Sequence, residues 1–242
     1  MSIDYNIFTN VGSRSVNEDS VRVSKKDGAF CFVLCDGLGG HGKGELASAC
    51  VADYIRNLFL ESDDLDVFFE SALDKAQEEL LKQQKKLNAQ FEMKTTATLL
   101  LIKDNMYRYA HIGDSRIYCF RNNKVLCRTL DHSVPQMLVL AGDIKEKKIR
   151  SHPDRNKLLR VMGVEWECSR YTMSDYEELK SGDAFLLCSD GFWEPILEKQ
   201  MCKTLKKSTD AQNWMDEMTK IIIKNAKDTD MDNFSGIAVI NR

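Results

Sequence analysis

Acidic residues recur at the ends of apolar runs in this chain. Phe32-Val33-Leu34-Cys35 leads into Asp36-Gly37, Phe185-Leu186-Leu187-Cys188-Ser189 into Asp190-Gly191, and Tyr109-Ala110-His111-Ile112-Gly113 into Asp114. Asp232-Asn233 stands just ahead of the run Phe234 to Ile240, and Glu18-Asp19 just ahead of another strand-like stretch. A carboxylate at a strand end is anchored by the sheet yet can reach a cleft. A glycine after the aspartate lets the backbone turn and leaves its carbonyl open to a metal ion. Carboxylates that converge raise one another's pKa unless a cation joins them. Hard oxygen donors of this kind suit Mg2+ or Mn2+. Any single Asp-Gly pair reads as an ordinary turn; the repetition at four strand ends is what points to a shared site.

Two other patterns compete. Gly37-Leu38-Gly39-Gly40-His41-Gly42-Lys43 has the spacing of a phosphate-binding P-loop between a strand and a helix. The next position should carry a Ser or Thr hydroxyl for Mg2+, and here it is Gly44. Cys50 and Arg56 have the spacing of a cysteine-phosphatase loop, but the intervening VADYI has no glycine and continues a helical pattern. The sequence has no CxxC pair and its four His lie far apart, which argues against zinc. Of the 8 Cys, Cys31, Cys35, Cys119, Cys127 and Cys188 sit in apolar runs and read as small buried hydrophobes, reduced as in a cytoplasmic protein.

The elements that must position these residues can be read from periodicity. Strands are expected near Ile3–Thr9, Ser20–Ser24, Ala29–Cys35, Ala97–Lys103, Met106–Ile112, Arg116–Arg121, Lys124–Thr129, Ser169–Ser174, Ala184–Cys188 and Ser235–Ile240. Helical patterns run over about Gly44–Leu60, Leu65–Gln90 and Asp210–Ala226, with a short one at Val134–Leu140. Gly113-Asp114-Ser115 and Asn122-Asn123 are hairpin-turn chemistry, so the strands around them pair antiparallel. Strand runs with grouped helices predict an α+β layered fold. With 242 residues, 43% of them hydrophobic, the chain can bury one sizeable core. Its net charge of -3 gives no reason to expect a nucleic-acid partner, and no apolar run approaches membrane-spanning length.

Taken in order, these residues resemble the metal-dependent protein phosphatases of type 2C, in their bacterial form. The matching segments are RSVNED (14–19), DGLGGHGKGELAS (36–48), TTATLLL (95–101), HIGDSRIY (111–118), LDHS (130–133), AGDI (141–144), HPDRNKLLRVMG (152–163), LLCSDGFWE (186–194) and DNFSGIAV (232–239). They cover almost the whole chain in one consistent order. The resemblance implies a four-layer αββα sandwich, with two antiparallel sheets flanked by helices. It implies a single catalytic domain over residues 1–242, with a flap at about 132–165 tied to substrate choice.

The same resemblance implies hydrolysis of phosphoserine and phosphothreonine monoesters by a hydroxide bridging two divalent metals, Mn2+ or Mg2+. Asp36 would bridge both ions, with the Gly37 carbonyl as a further ligand. Asp190 and Asp232 would hold one ion, Glu18 would act through bound water with Asp19 supporting it, and Asp114 with Asp190 would form a third, weaker site. Arg14 would grip the phosphate. Asp19 can instead be structural, and His111, Ser115 and Arg116 read as core and scaffold. Two positions depart from eukaryotic relatives: Leu38 stands where they carry a His proposed as general acid, and Glu194 where they carry Asp. His41 lies three residues beyond Leu38 and need not reach the same place, so the general acid is unassigned. The expected partners are phosphorylated proteins, with a Ser/Thr kinase acting in opposition; the expected protein is a cytoplasmic monomer. The alternative is an inactive phosphatase fold that only binds partners, against which the retention of Asp36, Asp190 and Asp232 argues.

Overall fold

In the computed structural model, residues 2–38, 42–166, 170–227 and 229–242 are described. Among these residues eleven strands form two sheets, every pair antiparallel. The first has the order β1 (Ile3–Asn10), β11 (Phe234–Asn241), β10 (Ala184–Cys188), β6 (Arg116–Arg121), β7 (Lys124–Arg128). The second has β2 (Asp19–Lys26), β3 (Ala29–Asp36), β4 (Ala97–Lys103), β5 (Met106–Ile112), β8 (Thr172–Met173), with β9 (Glu177–Glu178) also on β5. The second sheet packs on α1 (Gly44–Glu61) and α2 (Leu65–Leu87), and the first on α5 (Glu198–Lys207) and α6 (Ala211–Asn225). The result is the four-layer αββα sandwich.

The inner strands explain the layering. AFCFVLCD in β3 has no polar alternation, because both faces are covered. Its Cys31, Val33 and Cys35 face α1 and α2, while Phe30, Phe32 and Leu34 face the core between the sheets. In β10, Leu186 and Cys188 turn to the helices while Phe185 and Leu187 turn inward.

Most expected elements are present, and the differences have local causes. Helix α2 ends at Leu87 rather than Gln90 because Asn88 takes a left-handed conformation (φ 50) and its N–H bonds back to Gln84. Asp210 caps α6 instead of joining it, accepting the Asn213 N–H at 2.7 Å. Helix α5 and the four-residue α4 (Asp190–Trp193) were not expected; α5 buries only Met201, Thr204 and Leu205, a thin apolar signal. Strand β8 is shorter than the expected 169–174 stretch, and Ser169 lies outside the described residues.

Antiparallel order brings alternate strand ends to one edge of each sheet. Asp19 at the start of β2 lies opposite Asp36 at the end of β3. Cys188 at the end of β10 lies opposite Arg116 at the start of β6 and Gly236 near the start of β11. The strand-end acids therefore gather at one rim of the sandwich. Between β7 and β8 the chain forms α3 (Val134–Ala141) and a 3-10 turn at Glu146–Ser151, then returns through a bridge from Met162 to Thr95.

Candidate active site

The rim holds a cleft of about 760 Å³, lined by Arg14, Glu18, Asp36, Gly37, Asp114, Asp190 and Asp232 among others. Every expected site residue is there except Asp19, which lies behind it. Among the described lining residues Arg14 is the one cation against six carboxylates, Glu45 being the sixth.

Asp36 is held by its peptide. Its N–H donates to Thr96 Oγ1 at 3.0 Å, and its carbonyl accepts from Thr95 Oγ1 and the Thr96 N–H, both at 2.8 Å. Thr96 Oγ1 in turn meets Ser115 Oγ at 2.7 Å. Beyond Asp36, the Gly37 N–H donates to the Glu18 carbonyl at 3.0 Å. A side chain at Gly37 would run into the Gly44 carbonyl. A Cβ on Gly44 would lie 2.9 Å from the Gly37 carbonyl carbon and 3.0 Å from the Glu18 carboxyl. Two glycine backbones thus pack together where α1 begins. This close approach excludes the Ser or Thr that a P-loop needs at position 44. Gly39, Gly40 and His41 lie outside the described residues.

Glu18 is positioned by Asn233, whose Oδ1 accepts the Glu18 N–H at 2.8 Å while its Nδ2 donates to the carbonyls of Val11 (2.8 Å) and Val16 (3.0 Å). Asp114 hangs from a turn in which Gly113 takes φ 100 against the Thr96 side chain. The Asp114 carbonyl accepts Trp193 Nε1 at 3.0 Å. Trp193 is itself stacked on the Arg116 guanidinium, 3.4 Å from the ring centre. Arg116 is buried and forks onto Asp131 at 2.8 and 2.7 Å. Arg116 is therefore scaffold, as expected. His111 is a core residue, its Nε2 on the Leu130 carbonyl and its ring stacked on His132 at 4.6 Å.

Electrostatics in the cleft run against ionisation. Burial, then Asp19 and the other acids, hold Asp36 well above the usual carboxylate range, and burial with Asp190 does the same to Asp114. Burial, then Asp232, pushes Asp190 up to about 6. Asp190 is among the acids whose charge raises Asp36, so the two carboxyls oppose each other's ionisation unless a cation joins them. Glu18 is raised by burial and by Glu45. Asp19 accepts from Ser189 Oγ at 2.9 Å, but its Oδ1 is buried without a partner, and burial lifts it to about 7. It does not touch Arg14. That guanidinium forks instead onto Asp232, Nε and Nη2 each at 3.0 Å. The expected phosphate-binding residue thus pairs with an expected metal ligand. Glu194 is outside the cleft lining and pairs with Arg155 at 3.2 Å.

A divalent ion needs oxygen donors that converge on one point. Among the described residues no three His, Cys, Asp or Glu side chains form a ready-made cage. The chemistry of the set fits one nonetheless. The donors are hard oxygens, Asp36 and Asp190 are both raised by burial and by neighbouring acids, and Asp19 Oδ1 is buried and unpartnered. Thr95, Thr96, Ser189, Trp193, Asp131 and Asn233 support the site and carried no expectation as site residues. A doublet of Thr before β4 and an Asn after Asp232 were the available signals.

Comparison with known proteins bears on the family and the fold. The model of the Protein phosphatase 2C family matches residues 9–234. The chain is 34% identical over 196 residues to the serine/threonine protein phosphatase PstP of Mycobacterium tuberculosis, covering 80% of this chain and 37% of that one. It thus spans little more than a third of the length of that relative. The crystal structure of the serine/threonine phosphatase Stp1 from Staphylococcus aureus superposes with a TM-score of 0.90 at 26% identity, over 100% of this chain and 96% of that one. The PstP catalytic domain, solved in complex with two manganese ions, superposes with a TM-score of 0.83 at 25% identity, over 98% and 97%.

Proposed function

The chain belongs to the protein phosphatase 2C family, and from that premise we propose that it is a metal-dependent protein serine/threonine phosphatase. One observation carries the reading: five carboxylates expected as site residues, from the ends of both sheets, line a single cleft with one arginine. Asp36, with the Gly37 carbonyl, Asp190 and Asp232, would hold two divalent ions. Glu18 would support them from the cleft wall and Asp19 from behind, and Asp114 with Asp190 would hold a third ion more weakly. Divalent ions bound there supply Lewis acidity, bringing a water molecule's pKa toward neutral and offsetting phosphate charge.

The chain's own residues do the rest. Arg14 offers a planar fork to the phosphate oxygens, and its bond to Asp232 holds it at the cleft before substrate arrives. Thr95 and Thr96 fix the Asp36 peptide so that its carboxyl faces the cleft. Asn156 and Leu158 line the same cleft from the 132–165 segment, which supports its reading as a flap. The substrates are phosphoproteins, and a Ser/Thr kinase supplies them; that pairing rests on analogy. The protein is read as a cytoplasmic monomer; free thiols at the seven described cysteines suit a reducing compartment, and no described helix is long and apolar enough to cross a membrane.

The test is Mn2+-dependent hydrolysis of p-nitrophenyl phosphate and of a phosphothreonine peptide. Asp36→Asn should lower turnover about a hundredfold or more. Absence of metal-dependent turnover in the unmutated protein would instead identify a binding module.

A further inference from the structure

On the face of the first sheet turned toward the second, a hairpin carries two thiols that the phosphatase reading does not use. Strands β6 and β7 are joined by Asn122 and Asn123, both left-handed (φ 54 and 58). Arg121 faces Lys124 and Phe120 faces Val125, so a regular ladder would next set Cys119 against Leu126. A bulge between Cys119 and Phe120 shifts the register by one, and Cys119 faces Cys127 instead. Because side chains alternate along a strand, this one-residue shift moves Cys127 to the same face as Cys119. Cys119 is buried in the core between the sheets, and Cys127 packs against that core while only half-buried.

From this placement we infer that Cys119 and Cys127 are a redox-responsive dithiol that peroxides convert to a cross-strand disulfide. Directly opposed residues of an antiparallel pair have Cα atoms about 4.5–5.5 Å apart, inside the roughly 4.4–6.8 Å that a disulfide spans. The register therefore places the two residues within disulfide reach. Other thiols differ: burial pushes Cys31 and Cys188 up, and the partly buried Cys50 is raised to about 11, chiefly by burial. Cys127 is pulled down to about 7, chiefly by hydrogen bonding to Cys119, and its sulfur lies 3.9 Å from the Tyr109 hydroxyl. Since β7 is the outer strand of its sheet, an oxidant can reach that sulfur. The thiolate is the reactive form.

The chemistry balances with hydrogen peroxide as the two-electron oxidant. The Cys127 thiolate attacks one peroxide oxygen, the O–O bond breaks, and with a proton it leaves a sulfenic acid and one water. The Cys119 sulfur then attacks the sulfenic sulfur, expelling a second water and forming the S–S bond. A bond of this type in a reducing compartment is transient and regulatory. None of this depends on the metal site, since neither residue lines the cleft.

The experiment treats the intact chain with hydrogen peroxide, blocks remaining thiols with an alkylating agent under denaturing conditions, and digests with trypsin. The expected product links the peptides Ile117–Arg121 and Val125–Arg128 through sulfur, with a loss of two free thiols from the eight in the sequence; dithiothreitol restores both. In Cys119→Ala, which has no resolving thiol, dimedone should label Cys127. Recovery of both residues as free thiols after peroxide, or Cys127 as sulfinic acid beside a free Cys119, overturns the inference. The wild-type digest decides the question even if the variant fails to fold.

Discussion

If the cleft carboxylates repel one another, Asp190→Asn must stabilise the metal-free protein while it abolishes activity. The size of the effect follows from the shift. Asp190 is raised from 3.8 to about 6 by burial and by Asp232. About two units at 1.36 kcal/mol each give about 3 kcal/mol. The sign follows from proton binding. A folded-state pKa raised above the unfolded value gives stability that is fully present below about pH 4 and lost as pH climbs through 6. Asn carries no charge at any pH. In EDTA the variant should therefore match the wild type near pH 4 and exceed it by about 3 kcal/mol at pH 8. For a chain of this size, with an m-value of about 3 kcal/mol/M in urea, the unfolding midpoint moves by about 1 M. Taking the difference between the two proteins matters. Burial holds His111 below its usual value and His132 down at about 3, so both lower stability as pH falls below about 6.5 and would mask the trend in either protein alone. Saturating Mn2+ should reverse the ranking, because the ion stabilises the form that binds it. Equal midpoints at pH 8 in EDTA would refute the claim that these acids crowd one another.

Two further outcomes test the scaffold. Asp131→Ala strands the buried Arg116 guanidinium and should cost about 3–5 kcal/mol by urea unfolding. Adding Arg116→Met in the same chain should recover most of that loss, because it removes the unpaired charge. Gly44→Ser, which completes the spelling of a P-loop, places its Cβ 2.9 Å from the Gly37 backbone. It should destabilise the fold by about 1–3 kcal/mol, lower phosphatase turnover and confer no ATP protection against thermal unfolding.

Much of this architecture can be read from the chain. The bounds of β4, β5, β6 and β10 coincide with the expected ones because each is an apolar run closed by turn residues such as Asn105, Gly113 and Asn122. The strand-end acids were legible for the same reason, since a run that stops at Asp-Gly shows where its carboxylate stands. What the pattern does not carry is the choice of partner across long sequence separation. Arg14 pairs with Asp232 across 218 positions, and Asn233 reaches back to Glu18 across 215. Asp19 follows the ligand candidate Glu18 directly, yet alternation along the chain turns it behind the cleft, onto Ser189. Helix α5 escaped because Thr204 and a half-buried Cys202 stand where an apolar repeat would announce a buried face.

The supports of the site fall into a consistent division. Thr95 and Thr96 hold the peptide of Asp36, Asn233 holds the N–H of Glu18, and Trp193 holds the carbonyl of Asp114. These contacts are made to backbone atoms. Among the described residues no lysine, arginine or hydroxyl donates to the carboxylates of Glu18 or Asp36, and burial and like charge raise both. A structural ion pair is built the other way: in Arg116–Asp131 the carboxylate oxygens themselves are saturated by the guanidinium. Holding acids by their backbones while withholding donors from their oxygens destabilises the empty protein and leaves the oxygens available. A divalent cation is the partner that relieves that destabilisation, so the raised pKa values of Asp36 and Asp190 and the proposed hydrolysis follow from one arrangement.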